Sequence, residues 1–169
     1  MFMIITNVIN NYEKINLKFI EGREQDSGYK IMMKLEKLVI DIGKNFNNYD
    51  GGTLSEYQSK IAGYKFFLAD YVASLERVSE ELKLEVKYVK AKRWADVTEE
   101  IKLRDGKVKN KEQIENILLE ETYDLQNTQI LYETLYFQFK LKISAINDIL
   151  TLIVQKISFL KQEIKQTNQ

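Results

Sequence analysis

Between Leu54 and Leu82 the chain repeats in alternating steps of three and four residues: Leu54, Tyr57, Ile61, Tyr64, Leu68, Tyr71, Leu75, Val78, Leu82. This is a heptad register held for about four repeats. Leu54, Ile61, Leu68, Leu75 and Leu82 occupy one seam position, and Tyr57, Tyr64, Tyr71 and Val78 the other. The spacing predicts a helix from Leu54 to about Trp94, about 60 Å long at 1.5 Å per residue. Thr53, with Glu56 three residues later, has the pattern of a capping box that would open it. The tyrosines could in principle ladder under stacked bases. Their strict heptad spacing assigns them instead to a core or an oligomer interface.

The rest of the chain fits few, long helices, since 169 residues hold no proline and seven glycines. Ile5, Val8, Ile9, Tyr12, Ile15 and Phe19 have helical spacing, with a short strand over Met1–Ile5 as the competing reading. A second helix follows, with Ile31, Met32, Leu35, Leu38, Val39, Ile42 and Phe46 on one face. The breaker from Asn47 to Gly52 divides an N-terminal helical segment, residues 1–50, from a long helical hairpin, residues 53–166. In Ile101–Asn110 the Asp105-Gly106 pair suggests a small β-hairpin or a loop. The last helix is expected from about Glu112 to Lys165. Its seam runs from Ile114 and Leu118 through Glu121 to Leu135 and Phe139. A four-residue step then resumes it as Ile143, Ile146, Leu150, Ile153, Ile157. Two seamed helices joined by a short connection make an antiparallel pair. The expected fold is therefore all-α, a long antiparallel helical hairpin with short N-terminal helices. Apolar residues beside the seam (Tyr136, Phe137, Leu141, Ile149) call for further cover, so a homo-oligomer is expected.

Chemistry is bounded by what is missing. There is no cysteine and no histidine, which removes disulfides, the commonest transition-metal ligands and the usual nucleophile–base pairs. The neighbouring acids at 80–81, 99–100 and 120–121 point about 100° apart on a helix and share no site. Glu121, on the seam, is expected to pair with a lysine of a neighbouring helix. No enzyme, cofactor or metal is expected. The longest uninterrupted apolar runs fall short of the roughly 20 residues of a membrane span, and residues 1–9 lack the features of a signal peptide. A cytoplasmic protein without a membrane partner follows as the expectation.

The formal net charge is zero, so any affinity for nucleic acid must come from local clustering. Residues 83–111 supply it, with ten basic against five acidic residues, a net of +5. Lys83, Lys87 and Lys90 lie at i, i+4 and i+7 and share a stripe. Tyr88 and Trp94, the sole tryptophan, are interleaved with them. Lysine and arginine neutralise phosphates, and aromatic faces accept unstacked bases. The candidate contacts to single-stranded nucleic acid are Lys87, Tyr88, Lys90, Lys92, Arg93, Trp94, Lys102, Arg104, Lys107 and Lys109.

From Leu54 to Glu163 the chain resembles the UvsY-type recombination mediators of T4-like bacteriophages. The resemblance rests on Leu54-Ser55-Glu56-Tyr57 through Tyr64, Phe67 and Leu68, and on Lys90-Ala91-Lys92-Arg93-Trp94 before a glycine-containing connection. It rests also on Ser144-Ala145-Ile146-Asn147-Asp148-Ile149 leading to Gln155-Lys156-Ile157-Ser158-Phe159-Leu160. It implies an all-helical, ring-forming protein that binds single-stranded DNA and helps load a RecA-like recombinase onto strand coated by single-stranded-DNA-binding protein. It carries Lys90, Lys92, Arg93 and Trp94 over as DNA contacts. The competing reading is a phage structural or scaffolding coiled-coil protein with no nucleic-acid role.

Overall fold

The structure, a computed structural model, describes residues 27–106 and 111–167. Its elements are α1 (Ser27–Asn45), α2 (Gly51–Asp105), α3 (Lys111–Glu121) and α4 (Tyr123–Thr167). The protein is all-α, with no strand among the described residues. The helix or strand expected over residues 1–20 lies outside them. The chain packs as two compact units, one of residues 27–73 and 137–167, the other of residues 74–136. α2 and α4 each contribute to both.

In the first unit, α1 buries Met32, Leu35, Val39 and Ile42, followed by Phe46 in the connection. α2 meets this face with Leu54, Ile61 and Leu68, none of which is exposed at all. Tyr57, Tyr64 and Tyr71, on the other seam position, are half-buried flanks. α4 supplies Phe139, Ile146, Ile149, Ile153 and Ile157. The Tyr29 ring meets Phe139 edge-on at 5.5 Å, and Tyr71 meets the same ring at 5.0 Å. Lys142 of α4 reaches Glu36, and Lys156 reaches Phe46, so α4 runs parallel to α1. The short connection after Asn45 makes α2 antiparallel to both. Asp50, not Thr53, caps α2. Its Oδ1 accepts the Thr53 N–H at 2.6 Å and its carbonyl accepts the Leu54 N–H at 3.0 Å. Gly51 and Gly52 are absorbed into the first turn, where backbone N–H groups have no helical partner in any case.

The second unit corrects the expected end of α2. The helix does not stop near Trp94 but continues to Asp105, and Ile101–Arg104 is helical, not the arm of a β-hairpin. Val97 and Ile101, one turn apart, are buried against Ile114 and Leu118, with Trp94 and Ile117 packed on them. That contact favours helix where the dipeptide Asp105-Gly106 suggested a turn. Gly106 instead ends the helix, with φ of 74°, in the left-handed conformation common just past a helix terminus. The pairs Ile101–Ile114 and Arg93–Glu121 set α3 antiparallel to α2.

The last helix is also not continuous from residue 112. α3 ends at Glu121 and α4 begins at Tyr123. Thr122, between them, is buried, and its hydroxyl donates to the Leu118 carbonyl at 2.6 Å. This back-bonding is the usual way a threonine loosens one turn. α4 is, by length and composition alone, apolar enough to cross a membrane. Its uninterrupted apolar runs are short because Asn147, Asp148, Gln155 and Lys156 punctuate it.

Candidate nucleic-acid interface

Helix α2 is unbroken through the basic end, so 100° per residue fixes which side chains share a face. Lys83, Lys87, Lys90 and Trp94 fall within about 60° of one another and form one stripe, which continues along the helix into the face that Val97 and Ile101 bury against α3. Tyr88 and Lys92 are turned more than about 120° from its centre. The aromatic group serving the lysine stripe is therefore Trp94. Tyr88, 66% exposed, belongs with Lys92 on the opposite side. Lys102 is exposed, and Arg104 pairs with Asp105 at 2.9 Å. Lys107 and Lys109 lie outside the described residues.

Charge is distributed less simply than in the linear sequence. Lys87, Lys90 and Lys92 make no ion pair with any described residue, while Lys83 touches Glu80 at 3.3 Å. Arg93 is fully engaged. Its Nη2 and Nε donate to the two Glu121 carboxylate oxygens at 2.8 and 3.1 Å. Asp96 and Glu100 each accept from it at 3.3 Å. The Glu121 bonds, then those of Glu100, raise the guanidinium far above its usual range. The Arg93 bonds in turn hold Glu121 below the usual carboxylate range. Glu121 pairs, as expected of it, with a base on a neighbouring helix, though with an arginine and not a lysine. A bidentate fork of this kind fixes orientation as well as charge. Arg93 therefore ties α3 to α2.

α3 also carries Glu112, Glu115, Glu120 and Glu121 against the basic end, which lowers the net charge over residues 83–121 to +1. The sequence count stopped at Lys111 and missed them, because only packing brings these acids alongside.

Between the stripe and α3 lies an open pocket of about 570 Å³, lined by Lys90, Ala91, Trp94, Glu115, Asn116, Leu118 and Leu119. Buried Leu118 forms its floor and the half-buried Trp94 a wall, with Lys90, Glu115 and Asn116 at the rim. The last two were not legible as site residues, since α3 shows only an ordinary amphipathic pattern. No group of three or more acidic residues able to hold a metal ion occurs among the described residues. No family model, curated protein or solved structure matches this chain.

Proposed function

We propose that the protein is a non-enzymatic single-stranded DNA-binding recombination mediator that works as a homo-oligomer. Its setting would be the host cytoplasm during a phage infection, and its partners a RecA-like recombinase and the single-stranded-DNA-binding protein that coats the strand. The observation that carries the reading is the stripe of Lys87 and Lys90, free of carboxylate partners among the described residues, leading along one helix face to the only tryptophan. The lysines would neutralise consecutive phosphates while Trp94 accepts a base. The resemblance of residues 54–163 to UvsY-type mediators supports the same reading. With a net charge of only +1 at this end, one subunit binds weakly, and repetition of the stripe around an oligomer supplies avidity. Phe66, Phe67, Phe137 and Leu141, each more than half exposed, leave apolar surface for such an assembly to cover.

The test is fluorescence anisotropy with a labelled oligo-dT across a salt series. Log affinity should fall linearly with log salt, by about 0.7 per phosphate neutralised. Lys87→Ala with Lys90→Ala should weaken binding about tenfold or more at low salt and flatten that slope. Arg93→Ala should leave the slope unchanged, because Arg93 is already neutralised by carboxylates. No binding at about 50 mM salt, where attraction is weakly screened, would favour the competing reading, a structural coiled-coil oligomer. The low net charge and the exposed phenylalanines are what that second reading would rest on.

A further inference from the structure

We propose that the pocket beside Trp94 takes a single unstacked nucleobase and favours bases carrying an exocyclic amino group over thymine. This rests on the single-strand reading above and adds a base preference to it. The pocket, about 570 Å³, is roomy enough for one nucleotide. Its apolar lining is the Trp94 indole with Ala91, Leu118 and Leu119, which suits a flat heteroaromatic ring. Trp94 is held in place because it packs on Val97, Ile101, Ile114 and Leu118. Lys90 stands at the rim without a carboxylate partner, where a strand's phosphate would pass.

The polar rim gives the preference. Glu115 Oε1 takes the Lys111 ammonium at 3.1 Å, which leaves Oε2 as an acceptor. A carboxylate accepts from the amino group of cytosine, and adenine and guanine carry such a group as well. Thymine has no amino group; its one ring donor, N3–H, is flanked by two carbonyl oxygens, so an oxygen faces the carboxylate where cytosine offers its amino group. The Asn116 amide makes no hydrogen bond with any described residue and can donate to a ring nitrogen or carbonyl beside it. The site thus fits thymine less well than the three bases that carry an amino group.

The experiment compares labelled oligo-dC with oligo-dT of equal length, at about pH 8, on the full-length protein. The two strands have similar backbone charge and flexibility, so the stripe alone would bind them equally. Oligo-dC should bind about threefold to tenfold tighter. Glu115→Gln, which can offer thymine an amide N–H, should bring the ratio to within about twofold. Ala91→Leu, an exposed helical substitution that fills the pocket, should also bring the ratio to within about twofold, by weakening oligo-dC more than oligo-dT. Trp94 emission gives a second readout, since the chain has no other tryptophan. dCMP at millimolar concentration should quench it more than dTMP, and Ala91→Leu should abolish the difference. Equal binding of the two strands overturns the pocket assignment and leaves single-strand binding standing. Should neither strand bind, the mediator reading falls, and the dCMP titration decides the pocket alone. Absence of quenching then overturns it.

Discussion

Two lysines show how a single side chain can take a role opposite to its type. Lys142 and Lys156 sit on the buried face of α4, in the unbroken register Leu135, Phe139, Lys142, Ile146, Ile149, Ile153, Lys156, so the four-residue step expected at Ile143 is absent. Lys142 is 3% exposed at its side chain and pairs with Glu36 at 2.7 Å. Lys156 donates to the Phe46 carbonyl at 2.8 Å and the Asn47 carbonyl at 3.2 Å, just past the end of α1. Carbonyls at a helix C-terminus lack helical partners and carry the negative end of its dipole, so an ammonium group stabilises them. Lys156→Met keeps the stem and removes the donor. It should cost about 1–3 kcal/mol in urea unfolding, because two carbonyls lose their partner. A second residue-scale effect concerns Asp41. Its carboxylate accepts hydroxyl protons from Tyr57 and Tyr49 and an amide proton from Asn45. The Tyr57 bond, then the Tyr49 bond, holds it below its ordinary value of 3.8. A carboxylate depressed by folding contributes stability that is present above that value and is lost as pH falls through the lower, folded one. Asp41→Asn should therefore lower the melting temperature near pH 6 and narrow its gap to wild type between about pH 4 and pH 2. A gap that stays constant with pH would remove the assignment.

At the scale of the element, α2 depends on how it ends. Gly106 adopts φ of 74°, which costs a residue with a β-carbon about 1 kcal/mol. Gly106→Ala should destabilise by about that amount, and hydrogen exchange should speed up in the last turn of α2. Gly63 supplies the opposite case within the same helix. A β-carbon there would meet nothing within 4 Å. Gly63→Ala should stabilise by about 0.5–1 kcal/mol through helix propensity and a stiffer unfolded chain. If both substitutions shift the urea midpoint in the same direction, the end of α2 is not where Gly106 places it.

For the whole molecule, α3 matters more than its length suggests. Its four acids lower the net charge of the basic end from +5 to +1. The conversion of Arg93 from candidate contact to helix tie follows from the same packing. On the proposed reading, strand binding at this net charge would lean on repetition, so its test belongs to the assembled state. Sedimentation velocity should show a homo-oligomer, and Phe66→Glu with Phe67→Glu should reduce its mass and weaken oligo-dT binding together. A monomer that retains full affinity would separate binding from assembly.

The all-α class, the α2 seam and the separation of α1 from α2 were legible in the sequence because they depend on local periodicity and punctuation. Leu54, Ile61, Leu68 and Leu75 needed only a spacing rule to be placed inside. The lysine stripe was legible for the same reason, since Lys83, Lys87 and Lys90 share a face on any helix. Only the tertiary structure decided what lies beside that stripe. Glu115, Asn116 and Glu121 are distant in the chain, and their approach depends on α3 packing on Val97 and Ile101. The same contact extended α2 past Trp94 to Asp105, where local turn chemistry pointed the other way. Buried Lys142 and Lys156 were likewise beyond reach, because their partners are a carboxylate of α1 and two carbonyls just past its end. Periodicity determines which face is turned inward, whereas long-range pairing determines what each face meets.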